Sequence, residues 1–275
     1  MLGFSLFPIL LWGCEKPAPI FTENFDGIVY HQIPSGHYVL GSPEGQGQQD
    51  ERPQLSVDTP SFWIMQKEVT NAEYAEFLNR LKYKPDGIRD FIAIHGDGMR
   101  PSEIKYTGTR FRPSYGYEEH PVMSVSFRGA EIFCKNNSAR LPTEVEWEVA
   151  ARGGLKEAEY PWGNAPPDGR AHFGQEWELF QSVAPTVPVG QFAPNGYGLY
   201  DMAGSVWEWT QTLYYNYEAQ DPNSTARMRA VVRGGSWGSP AEELRVAFRR
   251  NYEIGVRSNF SGGLGFRCVR DSTSP

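Results

Sequence analysis

The sequence is poor in cysteine, in clustered positive charge and in recognisable catalytic strings. It contains three cysteines among 275 residues, so chemistry that depends on thiols has few residues available. The formal net charge is −7 and no run of lysine and arginine occurs, which argues against the basic surface that nucleic-acid binding requires. Gly-rich phosphate loops, G-x-S-x-G elbows and HExxH strings are also missing from the sequence. We therefore expect no nucleic-acid partner and none of these common active sites.

Glycine, proline and aromatic residues are abundant instead. The chain has 29 glycines, 21 prolines and 14% aromatic residues, so its connections are many and tight, and large rings supply much of its buried area. The helical pattern is lost after residue 161, and short strands separated by loops are expected between residues 231 and 270. The composition predicts an α+β fold with a low content of regular secondary structure.

The one long apolar run lies at residues 2–12 and has the length of the apolar part of a secretory signal. The string that follows, Leu11-Trp12-Gly13-Cys14, resembles a bacterial lipobox, which implies cleavage before Cys14 and lipidation of its sulfur. The protein is then an exported lipoprotein of the periplasm or cell surface, and the lipid anchor is its only membrane contact. A plain secretory signal and a misplaced start codon remain alternatives.

The rest of the chain shows no internal repeat and is interpreted as one domain. We expect a signal peptide over residues 1–14, a tether over 15–26, the domain over 27–270 and a short tail over 271–275. Phe62-Trp-Ile-Met65 is expected to form a short buried strand.

Three helices are indicated by the residues that begin them. Thr70 and Glu73 have the spacing of a capping box, and Thr143 and Glu146 repeat it. A further helix is expected to begin near Ser126, where apolar residues recur at helical spacing.

Eight short strings occur in one order along the chain and cover roughly residues 33 to 270. They are Asp50-Glu-Arg-Pro53, Glu68-Val-Thr-Asn71, His120-Pro-Val-Met-Ser-Val-Ser126, Arg140-Leu-Pro-Thr-Glu-Val-Glu-Trp147, Tyr160-Pro-Trp-Gly-Asn164, Asn195-Gly-Tyr-Gly-Leu-Tyr-Asp-Met-Ala-Gly-Ser-Val-Trp-Glu-Trp209, Arg233-Gly-Gly-Ser-Trp237 and Gly265-Phe-Arg-Cys268. Together they resemble the formylglycine-generating enzyme (sulfatase-modifying factor) family. The resemblance implies a variant C-type-lectin-like fold.

The family's copper chemistry is not expected in this chain. In catalytic members, two cysteines just after the Arg-Gly-Gly-Ser string bind copper(I), where oxygen is activated to oxidise a substrate cysteine to formylglycine. The matching positions here are Ser239 and Leu244. Copper(I) prefers soft thiolate ligands, and neither a hydroxyl nor an isobutyl group can replace them.

The resemblance also assigns two of the three cysteines. Cys134 and Cys268 match positions that form a structural disulfide in family members, and such a bond is compatible with an oxidising compartment. Two unpaired buried thiols are the alternative.

A calcium site is implied by a further family string. The residues that match its ligands are Asp201 and Glu208, through their side chains, and Gly204 and Val206, through their carbonyls. Calcium takes six to eight oxygen ligands of these kinds, so we expect structural calcium and no copper. The alternative is that Glu208 accepts hydrogen bonds from loop amides while the neighbouring tryptophans pack.

Two functions from different classes remain. The first is a non-catalytic binding or assembly module that contacts a protein, peptide or glycan of the cell envelope through a groove of exposed aromatic and polar residues. The groove residues are Trp207, Ser236, Trp237, Ser239 and Arg249.

The alternative is an oxidoreductase of the same family with a centre that does not use cysteine, for which iron is the candidate metal. His95-Gly-Asp97 has the spacing that begins a two-histidine, one-carboxylate iron site, and Glu242 or Glu243 is a candidate acid or base. No second histidine partner for His95 is evident in the sequence.

Overall fold

The computed structural model describes residues 20–93, 102–176, 186–214, 228–254 and 263–272. The predicted signal peptide and its Cys14 lie outside this part of the chain. Within it, three α-helices and twelve short strands are connected by long loops, as the composition predicts. Among the described residues, no helix is long and apolar enough to cross a membrane.

The strands form two sheets and two separate hairpins. The first sheet has the order β1-β2-β5-β12 and the second the order β10-β9-β8-β11, while β3 pairs with β4 and β6 with β7. All pairs are antiparallel except that of β11 with β8. The strands are β1 (Thr22–Phe25), β2 (Ile28–Ile33), β3 (Gly36–Leu40), β4 (Leu55–Thr59), β5 (Phe62–Met65), β6 (Ile104–Tyr106), β7 (Phe111–Pro113), β8 (Trp207–Leu213), β9 (Arg229–Arg233), β10 (Arg250–Glu253), β11 (Leu264–Gly265) and β12 (Val269–Asp271).

The three helices begin where their capping residues predict. They are α1 (Asn71–Leu81), α2 (Phe127–Asn136) and α3 (Glu144–Arg152). Thr70 and Thr143 each accept a hydrogen bond from the amide three residues later, and the glutamate there accepts one from the threonine amide. Ser126 caps α2 in the same way without a glutamate partner. These local contacts satisfy amide groups that the first helical turn leaves unpaired.

The first sheet separates two hydrophobic clusters because side chains alternate across a strand. On β5, Phe62 and Ile64 pack with Trp147 of α3, whereas Met65 packs on the other face with residues of α1 and α2. Sheet and helices therefore build a layered α+β core, and the buried strand predicted at Phe62–Met65 is confirmed.

A disulfide joins Cys134 of α2 to Cys268, the residue before β12. The predicted bond is thus present. It links residues 134 positions apart in the sequence, so it closes a large loop of the unfolded chain and ties the last strand to α2.

The structure corrects the predicted boundary of the domain. Part of the expected tether, Thr22–Phe25, forms β1, which pairs with β2 through the register Thr22↔His31 to Phe25↔Ile28. The turn between them is Asp26-Gly27, and both residues have positive φ angles of 53° and 88°, as a two-residue hairpin turn requires. At the other end, Asp271 belongs to β12 rather than to the tail.

Candidate functional site

The two positions that match the family's cysteine pair lie in different environments. Ser239 is buried, donates a hydrogen bond of 2.6 Å to Glu243 Oε2 and accepts one of 3.1 Å from the Ser236 amide. Leu244 has no exposed surface and packs in a hydrophobic cluster with Tyr160, among others. The first position is therefore a link in a polar turn, and the second is part of the core.

Glu243 connects this turn to the second sheet. Its carboxylate accepts hydrogen bonds of 3.2 and 3.4 Å from Arg250 as well as the bond from Ser239. Glu242, the neighbouring candidate acid or base, is exposed. Because the Glu243 carboxylate is held by Arg250, it fixes the orientation of the Ser239 hydroxyl, which is a structural role.

The predicted groove of exposed aromatic residues is not what the structure shows. Trp207 and Trp237 are only 2% and 4% exposed, and Ser236, Ser239 and Arg249 are also buried. Trp207 packs at 6.0 Å from the Phe248 ring. The prediction is wrong about these tryptophans because the fold has thin layers and short strands, so large rings fill the space between its elements.

Arg249 belongs to a buried network of charges rather than to a surface. Its guanidinium donates hydrogen bonds of 2.6 and 2.8 Å to Glu144. On the same face of α3, one turn later, Glu148 accepts hydrogen bonds from Arg152, from Arg233 and from the Gly41 amide. Arg233 also donates to the carbonyls of residues 246–248. The network thereby fixes the segment that follows the Arg-Gly-Gly-Ser string.

The spacing of Glu144, Glu148 and Arg152, four residues apart on one helix, was a visible signal for such a network. The arginines that complete it are about a hundred residues away in the sequence, so their partners could not be identified from spacing.

Two residues of the predicted calcium site, Asp201 and Glu208, contact the buried side chain of Arg267. Glu208 accepts hydrogen bonds of 2.8 to 3.0 Å from Arg267 through both carboxylate oxygens, and Trp147 Nε1 donates a further one of 3.0 Å. Asp201 Oδ2 accepts one of 2.6 Å from the Gly190 amide. The Glu208 carboxylate thus already forms an ion pair with Arg267, and a calcium ion that used this carboxylate would have to displace Arg267.

A third carboxylate that the sequence analysis did not assign joins this cluster. Glu68 accepts hydrogen bonds from Ser205 Oγ at 2.8 Å and from the Val206 amide at 3.2 Å. Burial, and then repulsion by Asp201 and Glu208, raises the pKa of Glu68 well above its ordinary value. Burial likewise raises the pKa of Asp201. The three carboxylates face the guanidinium of Arg267, and the Lys67 ammonium also acts on Asp201, so an excess of negative charge is left when all of these groups are ionised.

The fit to calcium is therefore partial. Asp201 and the loop carbonyls of Gly204 and Val206 lie on one irregular loop, in which Asp201, Gly204 and Ser205 all have positive φ angles. The excess negative charge favours a cation, whereas the Glu208–Arg267 pair removes the expected carboxylate ligand. Among the described residues, no group of three or more histidine, cysteine, aspartate and glutamate side chains is arranged to hold a metal.

The candidate iron residues His95 and Asp97 lie outside the described residues. His120 hydrogen-bonds Thr186 Oγ1 at 2.8 Å, and burial lowers its pKa. His31 contacts the Tyr197 carbonyl at 2.9 Å and Gln66 at 3.0 Å. These two histidines therefore have structural partners.

Comparison with known proteins relates this chain to one family by sequence and to one fold by structure. The family model for the sulfatase-modifying factor enzyme 1-like domain matches residues 22–272. The chain is 36% identical over 265 residues to serine/threonine-protein kinase pkn1 of Chlamydia pneumoniae. This match covers 93% of the chain but only 39% of the kinase. The chain thus spans about two fifths of the kinase's length. It is also 33% identical over 314 residues to inactive C-alpha-formylglycine-generating enzyme 2 of Bos taurus, covering 100% of this chain and 99% of the relative.

A solved structure with the same fold is PvdO from Pseudomonas aeruginosa. It matches with a TM-score of 0.69 at 24% identity, over 94% of this chain and 99% of PvdO. At this identity the similarity concerns the fold alone.

Proposed function

The chain belongs to the sulfatase-modifying factor family, and we propose that it acts there as a non-catalytic binding or assembly module. The observation that carries this proposal is the pair Ser239 and Leu244 at the positions of the family's copper-binding cysteines. One side chain holds a turn together and the other is buried in the core. Neither supplies a thiolate, which copper(I) prefers.

The cysteine count supports the same conclusion. Of three cysteines in the sequence, Cys134 and Cys268 are bonded to each other. Cys14 alone is left, so no pair of thiols exists for copper(I) or for thiol redox chemistry. The relative of similar length from Bos taurus carries the word inactive in its name, which is compatible with loss of the reaction on this scaffold. The kinase name belongs to a much longer relative, and no kinase activity is proposed for this chain.

We further propose that the protein is exported and anchored by a lipid on Cys14. The lipobox-like string and the apolar run before it support this location, and a disulfide is favoured by an oxidising compartment. In a bacterial host grown with labelled palmitate, the wild-type chain should incorporate label and sediment with membranes, and Cys14→Ser should do neither. Equal labelling of both proteins would contradict the anchor.

Calcium is proposed as a structural ion at Asp201 and the carbonyls of Gly204 and Val206, with the buried excess of carboxylates as the reason. Calcium should raise the melting temperature of the wild-type protein relative to a chelator-treated sample, and Asp201→Ala should lose most of that increase. An unchanged melting temperature in the wild type would contradict the calcium site.

Metal analysis of the purified protein separates the module from the alternative oxidoreductase. Calcium, or no metal, agrees with a non-catalytic module. Stoichiometric iron or copper that survives dialysis would instead favour an oxidase with a different centre.

A further inference from the structure

Two large apolar side chains at the start of the described chain face solvent. Ile20 is 48% exposed and Phe21 is 59% exposed. The Phe21 carbonyl accepts a hydrogen bond of 3.0 Å from the Gln32 amide, so the pairing of β1 with β2 continues to this residue and fixes its position. Because neighbouring residues of a strand point to opposite sides, this end of the sheet presents an apolar side chain on either side of its edge.

The apolar surface continues from Ile20 to the end of α3. The Ile20 side chain lies 3.2 Å from the position that a Cβ atom would take on Gly198. The ring of Tyr197, the preceding residue, lies 3.6 Å from the corresponding position on Gly154. The next residue, Leu155, is 41% exposed. One continuous surface therefore joins the start of the domain to a residue far along the chain.

Two tyrosines give this surface polar edges. Tyr38 and Tyr197 are half-buried and pack against the same hydrophobic cluster. Burial, and then a hydrogen bond with Tyr197, raises the pKa of the Tyr38 hydroxyl, so the two side chains are adjacent. Tyrosines with an apolar ring and a polar tip are enriched where lipid meets water. The apolar face is the surface formed by Ile20, Phe21, Tyr38, Tyr197 and Leu155.

The short distance to the proposed anchor determines what the apolar face meets. The chain from Cys14 to Ile20 spans at most about 20 Å even when it is fully extended. A domain over residues 22–272 has a radius of gyration of about 18 Å, so it is about twice as wide as this span is long. Once the Cys14 lipid is in a bilayer, the side of the domain around Ile20 lies next to that bilayer.

We propose that the apolar face docks on the surface of the phospholipid bilayer that holds the Cys14 lipid, with Phe21 and Leu155 in contact with it. This inference rests on the proposed anchor and goes beyond it, because the anchor was expected to be the only membrane contact. The exposed charges beside the face, Glu23 and Lys156, have opposite signs, so the contact is apolar rather than electrostatic. It strengthens the attachment, because stable anchoring takes a second signal besides one acyl chain.

The test uses the full lipidated chain in vesicles of phosphatidylcholine and phosphatidylethanolamine, which carry no net charge. An environment-sensitive dye is attached to the thiol introduced by Leu155→Cys or, as a comparison, by Tyr115→Cys, at a side chain that is 99% exposed beside α1. The Cys134–Cys268 disulfide is buried and the Cys14 sulfur carries the lipid, so only the introduced thiol reacts.

Lipids that carry a nitroxide quencher should quench the dye at residue 155 about threefold more than the dye at residue 115, because a docked surface enters the headgroup region by about 5–10 Å. High salt should leave this difference unchanged, since the contact is apolar. Loss of the difference in high salt would contradict an apolar contact.

Ile20→Ser with Phe21→Ser, placed in the Leu155→Cys chain, tests whether the apolar side chains hold the face on the bilayer. The pair should reduce the quenching to the level at residue 115, while palmitate incorporation stays that of the wild type. The matched control, Tyr83→Ser with Met228→Ser, removes two apolar side chains that are 50% and 61% exposed elsewhere. It should leave the quenching unchanged.

Equal quenching at residues 155 and 115, or quenching that survives loss of the two apolar side chains, would overturn the docking face. A second copy of the chain or another protein on this face would shield the dye from lipid and give the same contrary result. Palmitate incorporation by the same preparation shows that the anchor is intact in these cases. If the wild type takes up no palmitate, the anchor is refuted and the docking face with it.

Discussion

Arg245 and Glu51, which are 194 residues apart in the sequence, form a bidentate ion pair with two hydrogen bonds of 2.7 Å. Ser42 Oγ donates a third hydrogen bond of 2.6 Å to the same carboxylate. The pair connects the loop after β3 to the segment that follows Ser239 and Leu244. Together with the Glu148 network, it explains how a segment without regular strands or α-helices is held in one conformation.

The Glu51 pair predicts a specific loss of stability in acid. Burial acts to raise the pKa of Glu51, but the hydrogen bonds from Arg245 and Ser42 outweigh it and lower that pKa below its ordinary value. Because the folded pKa is the lower one, the stabilisation is complete above the unfolded value of about 4.3 and is lost as pH falls through the folded value. Urea unfolding of the wild type and Glu51→Gln at a series of pH values measures this. The variant should be less stable at neutral pH and should approach the wild type in acid; parallel curves would contradict the assignment.

The buried network predicts that Glu148→Gln is strongly destabilising. The substitution leaves Arg152 and Arg233 without their buried carboxylate, which is expected to lower the free energy of unfolding by about 3–5 kcal/mol. Glu131→Gln is the matched control, because Glu131 pairs with Lys135 at the surface, where such pairs contribute about 0.5 kcal/mol. Similar effects of both variants in urea unfolding would show that the network adds nothing beyond a surface pair.

The two positions that match the family's cysteine pair should respond differently to alanine. Leu244→Ala removes a side chain with no exposed surface and should cost about 2–5 kcal/mol of unfolding free energy. Ser239→Ala leaves the Ser236 amide without its acceptor and should cost about 1–2 kcal/mol. If Leu244→Ala is instead neutral in thermal or chemical unfolding, its role as core is wrong.

Removal of the disulfide should destabilise the fold substantially. By loop-closure entropy, a bond between residues 134 positions apart contributes about 4–5 kcal/mol, although measured values are often smaller. The Cys134→Ala, Cys268→Ala double variant should melt at a lower temperature than the wild type. Reductant should lower the wild-type melting temperature and leave that of the variant unchanged. If reductant lowered the melting temperature of both proteins equally, its effect would come from a group other than this disulfide.

Local contacts were the predictable part of this structure. Thr70 and Thr143 determine where helices begin through partners three residues away, so their capping boxes are visible in the sequence. The hairpin turn at Asp26-Gly27 is equally local, but the boundary predicted between the tether and the domain falls in the middle of it. The disulfide followed from resemblance to the family rather than from spacing.

The candidate site was harder because its side chains meet across long sequence separations. Arg267 and Glu208 lie 59 residues apart, and their pairing changes the expected calcium ligands. The packing of Trp207 was one of two alternatives that the sequence left open. The burial of Trp237 was not predictable, since an aromatic residue in a loop-rich segment has the same sequence signal whether it faces solvent or the core.

We propose that this protein does not carry out the formylglycine reaction. The most direct measurement is mass spectrometry of a cysteine-containing sulfatase peptide after incubation with the full chain, copper, reductant and oxygen, with an active family member as the positive control. We expect the cysteine to remain unconverted with this chain, while the control yields formylglycine. Formylglycine produced above the protein-free background would contradict the proposed non-catalytic function. The family's copper reaction depends on two thiolates, and Ser239 and Leu244 cannot supply them.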